Sequence, residues 1–311
     1  MNVLSRAFKR ACPGKIAVGL MGVVAAVFCN GPIARFIDFP ASHEPSRSIV
    51  VVTGCDSGFG KYMALKLASL GYVVVSTCMT QEGAKDIEAK VAEVIVCDLT
   101  LEESISRLGV AVHKLLAVNE QLSLWAVVNN AGVAPVGFVD WVSMDSFRFS
   151  MEVNYFALVA VCKEFLPLLK ASKGSRIINL GSMAGLATCP AMSSYAASKH
   201  AVEGFAKSLR AELRPFGVGV CNVNPGFMQT PLISNSVSAA EKTFREAVKN
   251  DEALGRLYVG VRSTLAIIIY IHIHSLLSLH AFHTNPNLLH RYNLFVGITH
   301  KPITLHVQIH E

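Results

Sequence analysis

Val52-Thr53-Gly54-Cys55-Asp56-Ser57-Gly58-Phe59-Gly60 is the stretch that decides the fold of this 311-residue chain. It continues Ser48-Ile49-Val50-Val51-Val52, a short β-branched run, and leads into residues 61–70, whose apolar side chains recur at helical spacing and close on Gly71. Strand, glycine-rich turn and helix in that order put backbone amides at a helix N-terminus, where glycines permit close approach to a pyrophosphate. Taken alone the stretch also fits a plain tight turn, so the segments on either side have to decide.

Working outward, residues 72–77, 94–97, 124–128, 176–180 and 218–223 are further runs of strand character. Helical patterns over 102–118, 145–170 and 193–214 separate the later ones, and 241–253 is again helical. The strands are continuous Val, Ile and Leu with no alternation, the pattern of a parallel sheet buried on both faces. The expected fold is a doubly wound α/β domain over 48–256. Ligands in such sheets sit beyond the carboxyl ends of the strands, where Asp98 and Asn129-Asn130-Ala131-Gly132 stand. Each of these could serve a nucleotide or simply form a turn.

Tyr195 and Lys199 in Tyr-Ala-Ala-Ser-Lys are four residues apart and share a helix face. A free phenol, with a pKa of about 10, is a poor acid–base group at neutral pH. An ammonium about 5 Å away at an effective dielectric near 20 favours the phenolate by roughly 3 kcal/mol, or about two pKa units. That brings Tyr195 into range for taking a proton from an alcohol. Ser182, at the end of a strand, can hydrogen-bond the same substrate oxygen. Asn154, a mediocre helix former inside a long helix, is expected to anchor a proton-relaying water.

Thr-Gly-x-x-x-Gly-x-Gly at 53–60, Asn-Asn-Ala-Gly at 129–132, Asn154, Ser182, Tyr195-x-x-x-Lys199 and Pro225-Gly226 running to Thr230 together resemble the short-chain dehydrogenases/reductases. The resemblance covers residues 48–233 and implies a Rossmann fold. Within the family, Val-Thr-Gly-Cys-Asp-Ser-Gly-Phe-Gly is similar to the branch of retinol dehydrogenases, 17β-hydroxysteroid dehydrogenases of the retinol-dehydrogenase-like type and 3-hydroxybutyrate dehydrogenase. The resemblance implies hydride transfer between a nicotinamide cofactor and a secondary or allylic alcohol. Tyr195 would be the acid–base group and Lys199 its activator and a ribose ligand, with Ser182 orienting the substrate oxygen and Asn154 supporting the relay. Gly54, Ser57, Gly58, Phe59 and Gly60 would meet the nucleotide, with Asp98 at adenine, Asn129, Ala131 and Gly132 near the ribose, and Pro225, Gly226 and Thr230 near the nicotinamide. The second strand ends in Ser76-Thr77-Cys78 with no acid to hold an NAD ribose. No Arg or Lys there or in the glycine loop offers a 2′-phosphate partner, and Asp56 would repel one. NAD is the expected cofactor, with NADP left open.

Charged residues make up 16% of the chain, below the roughly 25% usual for soluble domains, so part of it is expected to meet lipid. The net charge of +6 lies near the two ends and forms no basic stripe interleaved with aromatics, so no nucleic-acid partner is expected. Eight scattered cysteines without a C-x-x-C pair suit buried thiols. Residues 1–47 hold a basic, acid-free start and an apolar run over 16–29. A signal anchor, a cleaved signal or mitochondrial presequence, and an ordinary buried helix all remain open. The anchor would place the enzyme at the endoplasmic reticulum membrane, with mitochondria as the alternative.

Residues 257–311 change character: eight of eleven histidines fall there, and no Asp or Glu occurs from 253 to 310. His272 and His274 lack a carboxylate or cysteine partner, which argues against a metal site. A membrane segment over 265–279 would be broken by those histidines. The tail is unlike the strand and helices with which the branch completes its pocket and often its dimer contact. It is read here as an alternative or mispredicted exon. Two functions compete: a membrane-associated dehydrogenase of a lipophilic retinoid or steroid alcohol, in which a homo-oligomer is expected, and a nucleotide-binding variant left inactive by its tail. A 3-hydroxybutyrate-type activity is the small-substrate alternative.

Overall fold

In the computed structural model the described residues are 44–257, apart from 189 and 227–229. The expected anchor or presequence, the histidine pair, Cys189 and nearly all of the tail lie outside them. The chain divides into two compact units, one comprising Leu20–Pro225 with Thr230–Glu246. Of the other unit, Gly226 and residues 247–257 are described, the latter holding the end of one helix and all of a second, Glu252–Leu257.

Six parallel strands form one sheet: β1 (Ser48–Val52), β2 (Val73–Cys78), β3 (Glu93–Val96), β4 (Ser123–Asn129), β5 (Arg176–Leu180) and β6 (Gly219–Val223). Their order is β3-β2-β1-β4-β5-β6, so the winding reverses between β1 and β4. Val51 pairs with Val75 on one side and Val127 on the other. The helices are α1 (Gly58–Ser69), α2 (Gln81–Lys85), α3 (Glu102–Val118), α4 (Met144–Met151), α5 (Ala157–Ala171), α6 (Ser193–Leu213), α7 (Pro231–Asn250) and α8 (Glu252–Leu257). Among the described residues no helix is long and apolar enough to cross a membrane.

The uninterrupted valines of β1 feed two cores. Ile49 and Val51 pack with Phe165 and Leu169 of α5 and Val202 and Leu209 of α6, while Val50 and Val52 face Met63 and Leu67 of α1. A period-two backbone with helices on both faces needs an apolar residue at every position, which is why no alternation is visible. Cys55, Cys78, Cys97 and Cys162 are free buried thiols, as expected.

Three details differ from expectation. Helix α2 is too short to show periodicity and is announced only by Thr80, whose side chain caps it at Gly83 N. Helix α7 begins ten residues before the expected 241–253 segment, at Pro231, whose fixed φ suits a first turn. The single helix expected over 145–170 is interrupted at Glu152–Phe156 by a π turn, in which Ala157 N reaches back five residues to Glu152 O. Asn154 lies in that turn.

Candidate active site

Helix α6 carries Tyr195 and Lys199 on its inner face, with 7% and 5% of their surface exposed. Lys199 Nζ lies 5.8 Å from the Tyr195 ring centroid and donates to Leu180 O, at the end of β5, at 2.7 Å. Burial holds the Lys199 ammonium down at about 8. The same burial pushes the Tyr195 phenol up, and a side-chain hydrogen bond with Ser182 pulls it only part of the way back. The expected lowering of Tyr195 by its neighbour is therefore overturned. Desolvation penalises phenolate and ammonium alike, and the ammonium spends a proton on a carbonyl instead of on the phenol. At neutral pH the phenol of this structure is protonated.

Ser182 follows β5 and opens a single 3-10 turn, where its Oγ accepts from Ala184 N at 3.1 Å. Asn154 is almost fully buried; its Nδ2 donates to Val133 O at 2.8 Å and Ser198 Oγ at 2.9 Å, and its Oδ1 accepts from Val133 N at 2.8 Å. Ser198 in turn donates to Tyr195 O at 2.7 Å. The Asn154 amide has no proton left for a water, so its side chain acts as a brace between the β4 loop and the catalytic helix. One Oδ1 lone pair remains. It faces a notch at Gly132, where a Cβ would stand 3.0 Å from Asn154 Oδ1 and 3.7 Å from Lys199 Nζ.

The strand ends across the winding reversal are built from side chains that hold loops together. Thr53 Oγ1 accepts from Asn130 N at 3.0 Å and Ala131 N at 3.1 Å, and Asn130 Nδ2 donates to Thr53 O and Gly54 O at 2.9 Å each. Asn129, expected at the ribose, instead turns into the sheet and donates to Asn179 Oδ1 at 2.9 Å, because a side chain one residue earlier on a strand points to the opposite face. Asp98 uses Oδ1 on Thr100, and among the described residues its Oδ2 has no partner. Asp56 is half-buried and is not idle. Its carboxylate accepts from Met79 N at 2.8 Å, Thr80 N at 2.9 Å and Thr80 Oγ1 at 2.8 Å, fixing one full negative charge at the tip of β2.

These residues fit a dinucleotide. Ser57 stands at the N-cap of α1 without a side-chain cap, leaving the first amides of a twelve-residue helix free to bind an anion. Among the described residues a Cβ on Gly58 would meet nothing nearer than Thr230 at 3.8 Å. Gly60 is the reverse case: a Cβ there would collide with Gly54 O and Asn130 Nδ2, so it packs α1 against the loop. Phe59 is half-buried on the apolar side of the turn. Pro225 O accepts from Met183 N at 3.0 Å, which keeps the segment after β6 beside Ser182. Gly226 falls in the second unit.

Residues 48–241 match the family model described as short chain dehydrogenase. The chain belongs to the short-chain dehydrogenase family. It is 36% identical over 226 residues to an uncharacterized oxidoreductase, YusZ, of Bacillus subtilis, a match covering 70% of this chain and 77% of that one. It is 37% identical over 202 residues to the 3beta-hydroxysteroid dehydrogenase dhs-16 of Caenorhabditis elegans, covering 62% of this chain and 52% of that one. Identity to the mitochondrial D-beta-hydroxybutyrate dehydrogenase of Rattus norvegicus is 34% over 220 residues, 63% of each chain. The last two matches leave more than a third of each relative uncovered. A short chain dehydrogenase/reductase from Burkholderia phymatum, solved in complex with NAD, superposes with a TM-score of 0.59 at 27% identity, over 69% of this chain and 80% of that one.

In this short-chain dehydrogenase the structure brings Tyr195, Lys199, Ser182 and Asn154 together at the ends of β4 and β5. Sequence reasoning gave no separate role to Thr53 and Asn130, which tie the loops after β1 and β4 to each other, and it missed Ser198, which joins Asn154 to the Tyr195 backbone.

Proposed function

We propose that this short-chain dehydrogenase interconverts a lipophilic secondary or allylic alcohol, of retinoid or steroid type, and its carbonyl with NAD. The observation that carries the reading is the convergence of buried Tyr195 and Lys199 of α6 with half-buried Ser182 beyond the end of β5.

The nicotinamide cofactor, when bound, supplies or accepts the hydride. It would lie with its pyrophosphate at the α1 amides, its adenine side near Asp98, and its nicotinamide half near Lys199 and Pro225. Ser182 Oγ hydrogen-bonds the substrate oxygen and holds it beside Tyr195 Oη. In the reducing direction Tyr195, protonated in this environment, gives its proton to that oxygen as negative charge develops there. In the oxidising direction it must first lose that proton, so alcohol oxidation is expected to accelerate toward alkaline pH. Lys199, anchored on Leu180 O, offers its remaining protons toward the Gly132 notch, where Asn154 Oδ1 can hold a relaying water.

Two features support an uncharged, apolar substrate. Residues 133–143 and 183–192, which flank Ser182 and Tyr195 and are joined by Gly137 N donating to Ala191 O at 2.8 Å, contain no Arg, Lys or His to receive a carboxylate. Val139, Met144 and Leu186 are exposed in and beside them. Of the three α7 cations, Lys242 and Arg245 are paired with Glu246 and Glu241. Asp56 supports NAD, since its fixed charge opposes a 2′-phosphate at the β2 tip. An endoplasmic reticulum or mitochondrial membrane location suits such a substrate and belongs to the same proposal.

The test is NADH formation by the purified full chain with a panel of retinoids, steroids and 3-hydroxybutyrate, wild type beside Tyr195→Phe. Turnover of a retinoid or steroid, abolished in Tyr195→Phe while NAD binding persists, is the expected result. Turnover of 3-hydroxybutyrate alone, or near-normal rates in Tyr195→Phe, would overturn the reading. NAD binding with silence across the panel would identify an inactive variant.

A further inference from the structure

A third polar residue lies on the face of α6 that bears Tyr195 and Lys199. Glu203 is one turn beyond Lys199 and two beyond Tyr195, with 9% of its surface exposed. Among the described residues no cation is ion-paired with it. Its Oε1 instead accepts from Asn222 Nδ2 and Asn224 Nδ2, each at 2.8 Å.

The two asparagines flank Val223 at the end of β6, and the chain there pairs with both neighbours of Ser182. Gly181 N donates to Val223 O at 2.9 Å, and Met183 N donates to Pro225 O at 3.0 Å. Lys199 meanwhile grips Leu180 O. Residues 180–183 are thus held from α6 on one side and from 223–225 on the other, and Glu203 is the side chain that joins those two holders. The fit is close: a Cβ on Gly181 would collide with Asn224 Oδ1 and come within 3.4 Å of Glu203 Oε1. The contact also runs inward. Asn179 Nδ2 donates to Asn222 Oδ1 at 3.0 Å and Asn129 Nδ2 donates to Asn179 Oδ1 at 2.9 Å, so three amides in series point toward the carboxylate and polarise one another.

We propose that Glu203 is a positioning residue of the hydride-transfer site: by clamping the end of β6 to the catalytic helix it fixes Ser182 Oγ opposite Tyr195 Oη. Its effect on turnover rests on the dehydrogenase reading above, whereas its effect on the Ser182–Tyr195 contact does not.

The test therefore has an arm that needs no substrate. In protein carrying 13C-labelled tyrosine, the ring-carbon resonance next to the phenol oxygen, assigned to Tyr195 by its loss in Tyr195→Phe, reports the hydrogen bond from Ser182 and should shift in Ser182→Ala. Glu203→Leu should move it the same way, and Glu203→Gln, which keeps an oxygen acceptor for both asparagines, should leave it near the wild-type position. In the kinetic arm, with NAD and whichever retinoid or steroid the wild type oxidises, Glu203→Leu should lower kcat about 10²-fold, the loss expected when a reacting group is displaced by roughly 1 Å. KM for NAD should hold, and Glu203→Gln should recover most of the rate. A folded Glu203→Leu whose Tyr195 resonance does not move, or a rise in KM for NAD with kcat intact, overturns the proposal. A shifted resonance in a chain that turns over no alcohol supports the clamp and counts against the activity. If Glu203→Leu does not fold, Asn224→Ala, which removes one of the two donors, is read by the same criteria.

Discussion

Replacing Lys199 by Met keeps an unbranched side chain, one atom shorter, and deletes its charge. In the native state burial holds this ammonium at about 8, against 10.5 in solution. At 1.36 kcal/mol per pKa unit, carrying the cation into the fold costs about 3 kcal/mol at pH 7. With 5% of the residue exposed, solvent screening reduces that little. The sign follows from the protons. Between pH 8 and 10.5 the unfolded lysine keeps its proton while the native one releases it, so the unfolded state binds more and the cost of Lys199 shrinks as pH rises. By pH 9 it is down to about 2 kcal/mol. Opposing the gain from Met, Leu180 O loses its donor, at about 1–3 kcal/mol independent of pH. Lys199→Met is therefore expected to be as stable as the wild type, or up to about 2 kcal/mol more stable, at pH 7. That difference should narrow by about 1 kcal/mol by pH 9, while turnover is lost. Urea unfolding of both proteins at the two pH values, followed by tryptophan fluorescence, measures it. A difference that stays constant or widens with pH would refute the claim that Lys199 is a charged group held in a desolvated site.

Asp56→Asn removes the fixed charge at the β2 tip. The ratio of kcat/KM for NAD over NADP should fall about tenfold, the ~1–2 kcal/mol one charge exerts on another across about 8 Å of partly solvated space; an unchanged ratio would exonerate Asp56. Gly60→Ala drives a Cβ into Gly54 O and the Asn130 amide, so it should cost about 1–3 kcal/mol of stability and weaken NADH binding measured by fluorescence titration. Gly204→Ala, in α6 with no neighbour within 4 Å, should by contrast stabilise by about 0.5–1 kcal/mol. Burial pushes the thiols of Cys78 and Cys162 up to about 12 and of Cys97 up to about 11, from 9.0. The native state then keeps protons that the unfolded chain releases above pH 9, so the stability they contribute is complete below pH 9 and lost as pH rises toward 11–12. The melting temperature should fall over that window, and less steeply in Cys162→Ala than in wild type.

Local chemistry made the frame legible in advance. A run such as Ile49-Val50-Val51-Val52 suits a strand covered on both faces, and a glycine turn placed between that strand and a helix presents amides at the helix start, so the doubly wound sheet and its anion-binding end follow from residue order. Tyr195 and Lys199 four apart on a helix, and Ser182 at a strand end, were identifiable because helix pitch and strand termini are local properties. What the sequence left open depends on which way a side chain faces once strands are neighbours. Asn129 and Asn130 are equivalent on paper, yet one reaches across the sheet to Asn179 and the other ties β4 to Thr53. The amides that Asp56 binds are brought to it only when β2 is laid beside β1, and nothing sets Glu203 apart until β6 brings Asn222 and Asn224 against it. The protonation of Tyr195 is decided in the same way. Spacing places a cation near the phenol, but only the packed structure shows that both are stripped of water and that the cation is turned toward Leu180, and desolvation then outweighs the attraction between them.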